Sequence, residues 1–197
     1  MANYCSAMRF ALCFFALLIP AVAFSQTSAP KPAPAKPQVA PIESLFKQMK
    51  EAQTEQDADA IGDRIEKLFQ QSGSASIDLL MARATVALAA SDAKTAKSLV
   101  DTVTDVAPDF AEGWRIRAGM QAASGDDEGA MLSLGKVVTL NPRHFAAMKE
   151  LAQMFEAYGN KEGALKLYRR ILELSPRDQS VQFRVRALSR QVEGQGI

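Results

Sequence analysis

Cysteine is nearly missing from this chain, and histidine and tryptophan occur once each. Both cysteines, Cys5 and Cys13, fall within the first 25 residues. Beyond that stretch no thiol is left for a disulfide, a nucleophile or a thiolate metal site. With His144 the sole imidazole, a histidine pair for zinc is excluded, and a Ser-His-Asp arrangement would have to be built on that one residue. It stands in the turn-like run Pro142-Arg143-His144, where a surface histidine is the expectation. Glycine-rich phosphate loops are lacking too, since Glu193-Gly194-Gln195-Gly196 trails at the chain end rather than joining a strand to a helix. These gaps argue against an enzyme, and no cofactor or metal is expected. Excess charge of one sign is also lacking. The net charge is +1, and losing Arg9 from 23 basic residues leaves 22 against 22 acidic ones. A nucleic-acid partner, which needs a basic field, is not expected.

What is present begins with an export signal. Met1 to Arg9 carries no acid, Phe10 to Ala23 is apolar and broken by Pro20, and small residues at Ala21, Ala23 and Ser25 suit cleavage between Ala23 and Gln26. The apolar run is short of the roughly 20 residues a membrane span needs. Residues 1–25 are therefore read as a cleaved signal peptide, which implies a periplasmic or secreted protein. Residues 26–41 hold prolines 30, 32, 34, 37 and 41 among Ala and Lys, a stiff, solvated spacer.

The informative signal is a period. Pro108, Pro142 and Pro176 are spaced by 34 residues, and the same interval recurs in other columns. Leu80, Trp114 and Met148 form a bulky column; Ala84, Ala118, Ala152 and Ala96, Ala130, Ala164 form two small ones. Val100, Leu134 and Tyr168, then Val103, Val137 and Ile171, complete one apolar stripe of a second helix. Small side chains at a crossing let two antiparallel helices approach, and proline ends each unit because it cannot continue the helix. Ser91-Asp92, Gly125-Asp126 and Gly159-Asn160 supply the turn and cap chemistry between the helices of a pair.

These columns resemble the tetratricopeptide repeat family, and Met148, Leu151, Ala152, Phe155, Ala164, Tyr168 and Pro176 follow its consensus most fully. The resemblance implies an all-α, right-handed helical-hairpin solenoid of about three repeats: 77–108, 109–142 and 143–176. Residues 42–76 read as a degenerate repeat capping the N-terminal end, 177–192 as a C-terminal capping helix, and 193–197 as a disordered tail, so the domain spans 42–192. Arg83 and Arg117 replace the leucine of the family pattern, which implies thinner packing in the first two repeats.

A solenoid of this family offers a concave face to a protein or peptide partner. By register, that groove is expected to present Met81, Thr85, Arg115, Ile116, Lys149, Gln153 and Glu156, with Arg143 on its rim. Lys149 matches one lysine column of the family's carboxylate-binding members, whereas Gly119 and Gln153 replace their asparagines, so that activity is not implied. The resulting expectation is a non-enzymatic periplasmic adaptor. The alternative is an envelope or cell-wall factor touching peptidoglycan or membrane through Lys166, Arg169, Arg170, Arg177, Arg184, Arg186 and Arg190. Oligomeric state is left open.

Overall fold

The computed structural model describes residues 39–194. The segment read as a signal peptide, its expected cleavage point, nearly all of the proline-rich spacer and the last three residues of the expected tail lie outside the described residues. Within them the chain is all-α: α1 Val39–Glu51, α2 Glu55–Phe69, α3 Ala75–Ala89, α4 Ala93–Val106, α5 Ala111–Ala123, α6 Asp127–Leu140, α7 Phe145–Ala157, α8 Lys161–Leu174 and α9 Gln179–Val192. None of these helices is long and apolar enough to cross a membrane.

The 34-residue period is local chemistry repeated three times. Asp92, Asp126 and Asn160 cap α4, α6 and α8, each side chain accepting the N–H of the residue three positions on. Immediately before each cap the backbone turns through positive φ, at Ser91 (60°), Gly125 (82°) and Gly159 (79°). Glycine adopts that region freely and serine does not, so the first repeat is the strained one. Along the second helices, Ala96, Val100 and Val103, then Ala130, Leu134 and Val137, then Ala164, Tyr168 and Ile171 are all buried. Pairs α3–α4, α5–α6 and α7–α8 stack in sequence, and α9 closes the array by burying Val181 and Leu188 against α8. Its first turn is capped by Asp178, whose carboxylate accepts the N–H of Val181.

The N-terminal hairpin departs from expectation. The segment 42–76 is not a cap stacked on the first repeat, and its first helix starts at Val39, inside the span read as spacer. Leu45, Phe46, Met49 and Ile65 form a core that closes on Phe145 and Leu174 of the third repeat. The cluster beneath α3, made of Ile77, Met81 and Val103, does not include them. Polar contacts fix the same position. Arg143 makes a two-armed ion pair with Glu43 (2.6 and 2.9 Å) and lies over the Phe46 ring at 4.3 Å. The Arg177 Nε donates to the Ala52 carbonyl, and the Gln179 N–H donates to Glu55.

A steric reason for the displacement lies in one column. Gly113 and Ala147 occupy the third position of α5 and α7, and both are buried. At Gly113 a Cβ would stand 2.9 Å from a Val103 methyl, so a preceding helix needs a small residue there. The equivalent residue of α3 is Leu79. A hairpin stacked on α3 in the manner of its successors would collide with that side chain.

Candidate functional site

Small residues on α5 open a cleft between α5 and α7. Ala118, Gly119 and Ala122 form one wall; Gln153, Met154 and Ala157 form the other; Leu134 lies beneath. The cleft measures about 370 Å³ and is largely apolar, with Glu150 near one end and Asp127 hydrogen-bonded to the Tyr158 hydroxyl near the other. The α5 wall is low because Gly119 has no side chain and nothing lies within 4 Å of where a Cβ would be.

Of the residues expected in the groove, Gln153 lines this cleft and is exposed. Thr85 is also exposed, its hydroxyl donating to the Met81 carbonyl of its own helix. Met81 is not a groove residue: it is buried with Ile77 and Val103, and Ile116 packs partly buried against that cluster. The charged members are occupied within the chain. Lys149 donates to Asp178 and Ser180 (3.1 and 2.8 Å), Arg143 holds Glu43, and Glu156 meets Arg184 at 3.4 Å. Burial and the neighbouring Glu156 carboxylate push the Tyr168 hydroxyl well above its ordinary range.

Arg115 belongs to a buried network. It forks onto Glu112 (2.7 and 2.9 Å) and reaches Glu150 of α7 at 3.2 Å. Glu112 is 4% exposed and also faces His144 Nε2 at 3.4 Å. The expectation of a surface histidine is corrected: His144 is 2% exposed, with the Phe69 ring 4.8 Å from its own. Its Nδ1 accepts the Ala147 N–H as the cap of α7, so its ring proton sits on Nε2 and points at Glu112. Burial alone would raise the Glu112 carboxyl, but the bonds from His144 and Arg115 overcome it and hold the group below the ordinary glutamate value. The Glu112 hydrogen bond in turn raises Arg115. Glu112 and His144 are 32 residues apart, close to one repeat, which is why adjacent repeats bring them together. The period brings their columns together, whereas the turn-like run Pro142-Arg143-His144 points His144 to the surface.

A second cavity of about 340 Å³ separates α2 from α7 and α8, and it is acidic: Asp59, Asp63, Glu66 and Asp178 share it with Lys149. Burial raises the Glu66 carboxyl, with Arg115 and His144 opposing. Burial likewise raises Asp59, helped by Glu55 and Asp178. Of the C-terminal cations, Arg169 bonds to Ser189 and Glu193, Arg177 to Ala52, Arg184 to Glu156 and Arg186 to Gln182.

Comparison with known proteins fits this architecture. A tetratricopeptide repeat model matches residues 81–140 and 133–178, about half of the chain. A TPR repeat-containing protein of Rhizobium etli is 32% identical over 111 residues, 56% of this chain and 54% of the relative. The chain thus spans about half the length of that curated relative. Among solved structures, the first TPR of Spaghetti (RPAP3) bound to an HSP90 peptide has a TM-score of 0.53 at 20% identity, covering 59% of this chain and 93% of that one. The Sgt2 TPR domain from Aspergillus fumigatus gives 0.52 at 20% identity over 61% and 81%. MamA gives 0.53 at 12% identity over 78% and 83%. At such identities the structures testify to the fold alone. Together with the period, the caps and the paired helices, these matches make the chain a member of the tetratricopeptide repeat family.

Proposed function

We propose that this protein is an exported, non-enzymatic adaptor that holds an extended or helical peptide segment of a partner protein in the cleft between α5 and α7. The open apolar cleft beside Gly119 carries this reading. An exposed trough with apolar walls and polar ends is the form in which a partner's side chains are desolvated while its backbone stays oriented. A domain of similar fold, the first TPR of Spaghetti, has been solved bound to an HSP90 peptide. Export to the periplasm rests on the sequence of residues 1–25, and mass analysis of the mature chain tests it: retention of Met1 or Ala2 would contradict it.

Charge reversal at Arg115 or Lys149 is a poor probe, because both side chains hold the fold together. Gly119→Arg is better. The position is helical, exposed and free of neighbours, so arginine fills the cleft without strain and with improved helix propensity. Affinity capture with the mature protein is expected to recover a partner that Gly119→Arg releases while leaving the circular dichroism unchanged. Capture unaffected by Gly119→Arg and by Gln153→Arg would overturn the assignment of the cleft.

A further inference from the structure

Helix α3 carries an apolar seam that nothing among the described residues covers. Ala75, Leu79, Ala82, Val86 and Ala89 follow one another at intervals of four, three, four and three, and all five are exposed. Leu79 is 59% and Val86 69% accessible. That spacing is the seam along which two helices pack side by side. The opposite side of α3, with Ile77, Met81, Ala84 and Ala87, is the one buried against the array. Asp78, Arg83 and Thr85 lie between these two sides, so α3 is apolar on both opposite faces and has a partner for only one of them among the described residues.

Three observations decide what covers it. The hairpin α1–α2 is committed to the third repeat, as its shared core with Phe145 and Leu174 shows. Stacking in the manner of successive repeats, by this chain or by the last repeat of another copy, is blocked by Leu79 in a column where even a Cβ at Gly113 would stand 2.9 Å from a Val103 methyl. The free C-terminal end moreover presents Arg184, Arg186 and Arg190 beside its one exposed aromatic, Phe183, a poor match for a seam without charge. A second α3 does match. The seam alternates small and large, so an antiparallel copy places Leu79 over Ala82 of its partner and Val86 over Ala75, and the reverse.

We infer that α3 is a self-association surface through which two copies of this protein pair, seam to seam, about a twofold axis. Such pairing closes on itself and hides both open ends. The seam is one helix long, about 22 Å for 15 residues, well under a standard interface, so the pair forms reversibly. This inference is independent of the α5–α7 cleft.

Sedimentation of the mature chain over roughly a hundredfold concentration range tests it. The expected result is a shift from monomer to dimer mass, without larger species, that Leu79→Asp with Val86→Asp abolishes while helicity is retained. Ala82→Cys provides a check that does not depend on disrupting anything. The mature chain has no other thiol, and Ala82 lies near its own copy at the centre of the seam, so a short bismaleimide should link two chains. Ala90→Cys, at the cap just past the C-terminal end of α3 and far from its own copy, should link them several-fold less. Monomer mass at every concentration, or a dimer that survives the double aspartate change with equal linking at both cysteines, would overturn the inference.

Discussion

The first and third repeats obey the same plan with different success. In the third, Met148 is fully buried, Gly159 takes the positive-φ turn, and both flanks are covered, by the N-terminal hairpin on one side and α9 on the other. In the first, Leu80 is only partly buried, Ser91 is forced into that turn, and the outer face of α3 is uncovered among the described residues. One period thus produces a firm end and a loose end. The difference lies in a few positions: Leu79 against Ala147 decides whether a helix can precede the repeat, and Ser91 against Gly159 decides how easily its two helices turn. Repeat proteins are stabilised by neighbour contacts, so the end without a neighbour is where opening begins.

The sharpest way to break the comparison is at the bulky column. Met148→Ala should cost about 3 kcal/mol, whereas Leu80→Ala should cost about 1 kcal/mol, both by chemical denaturation. Equal losses would mean the two repeats are packed alike. Next comes the junction that neither end shares: Glu112→Ala leaves Arg115 and His144 facing a buried gap and should cost about 3 kcal/mol at neutral pH. Because the folded Glu112 carboxyl is held low, its contribution is present above the ordinary glutamate range. It is lost as pH falls through the folded value, so wild type and variant should converge in acid.

Glu66 sharpens the same junction with opposite sign. Its raised carboxyl means stability declines as pH rises through its folded value, so Glu66→Gln should raise Tm at neutral pH and lose that advantage in acid. The smallest effects concern the turns. Ser91→Gly should stabilise by about 0.5 kcal/mol net of glycine's chain entropy, and Gly159→Ser should destabilise by about 1 kcal/mol. Thermal melts of the pair read both, and like signs would contradict the turn comparison.

Much of this was legible in the sequence. Each proline, each alanine column and each cap is a local choice repeated at one interval, and repetition makes local signals additive. The capping helix was equally readable, since Val181, Val185, Leu188 and Val192 lie on one face. Three features escaped. The hairpin's docking depends on pairs such as Glu43–Arg143, 100 residues apart, for which no period exists. His144 departs from the surface expectation because a turn residue is ordinarily wet, whereas here the Phe69 ring packs on it and the buried Glu112 faces it. Arg115 and Lys149 stand on α5 and α7, but their carboxylate partners Glu112 and Asp178 belong to a first turn and a cap whose geometry a column count does not reveal.

Where the hairpin sits is the claim on which both ends depend, and hydrogen exchange along the full chain tests it most directly. Phe145→Ala removes one of the two third-repeat side chains in the hairpin core, leaving Leu174, and Leu80→Ala loosens the first repeat. The expected result is that Phe145→Ala speeds exchange across α1 and α2 while α3 keeps its protection, and that Leu80→Ala speeds exchange in α3 and leaves α1 and α2 unchanged. Hairpin protection that follows Leu80→Ala and ignores Phe145→Ala would place the hairpin on the first repeat and contradict the account.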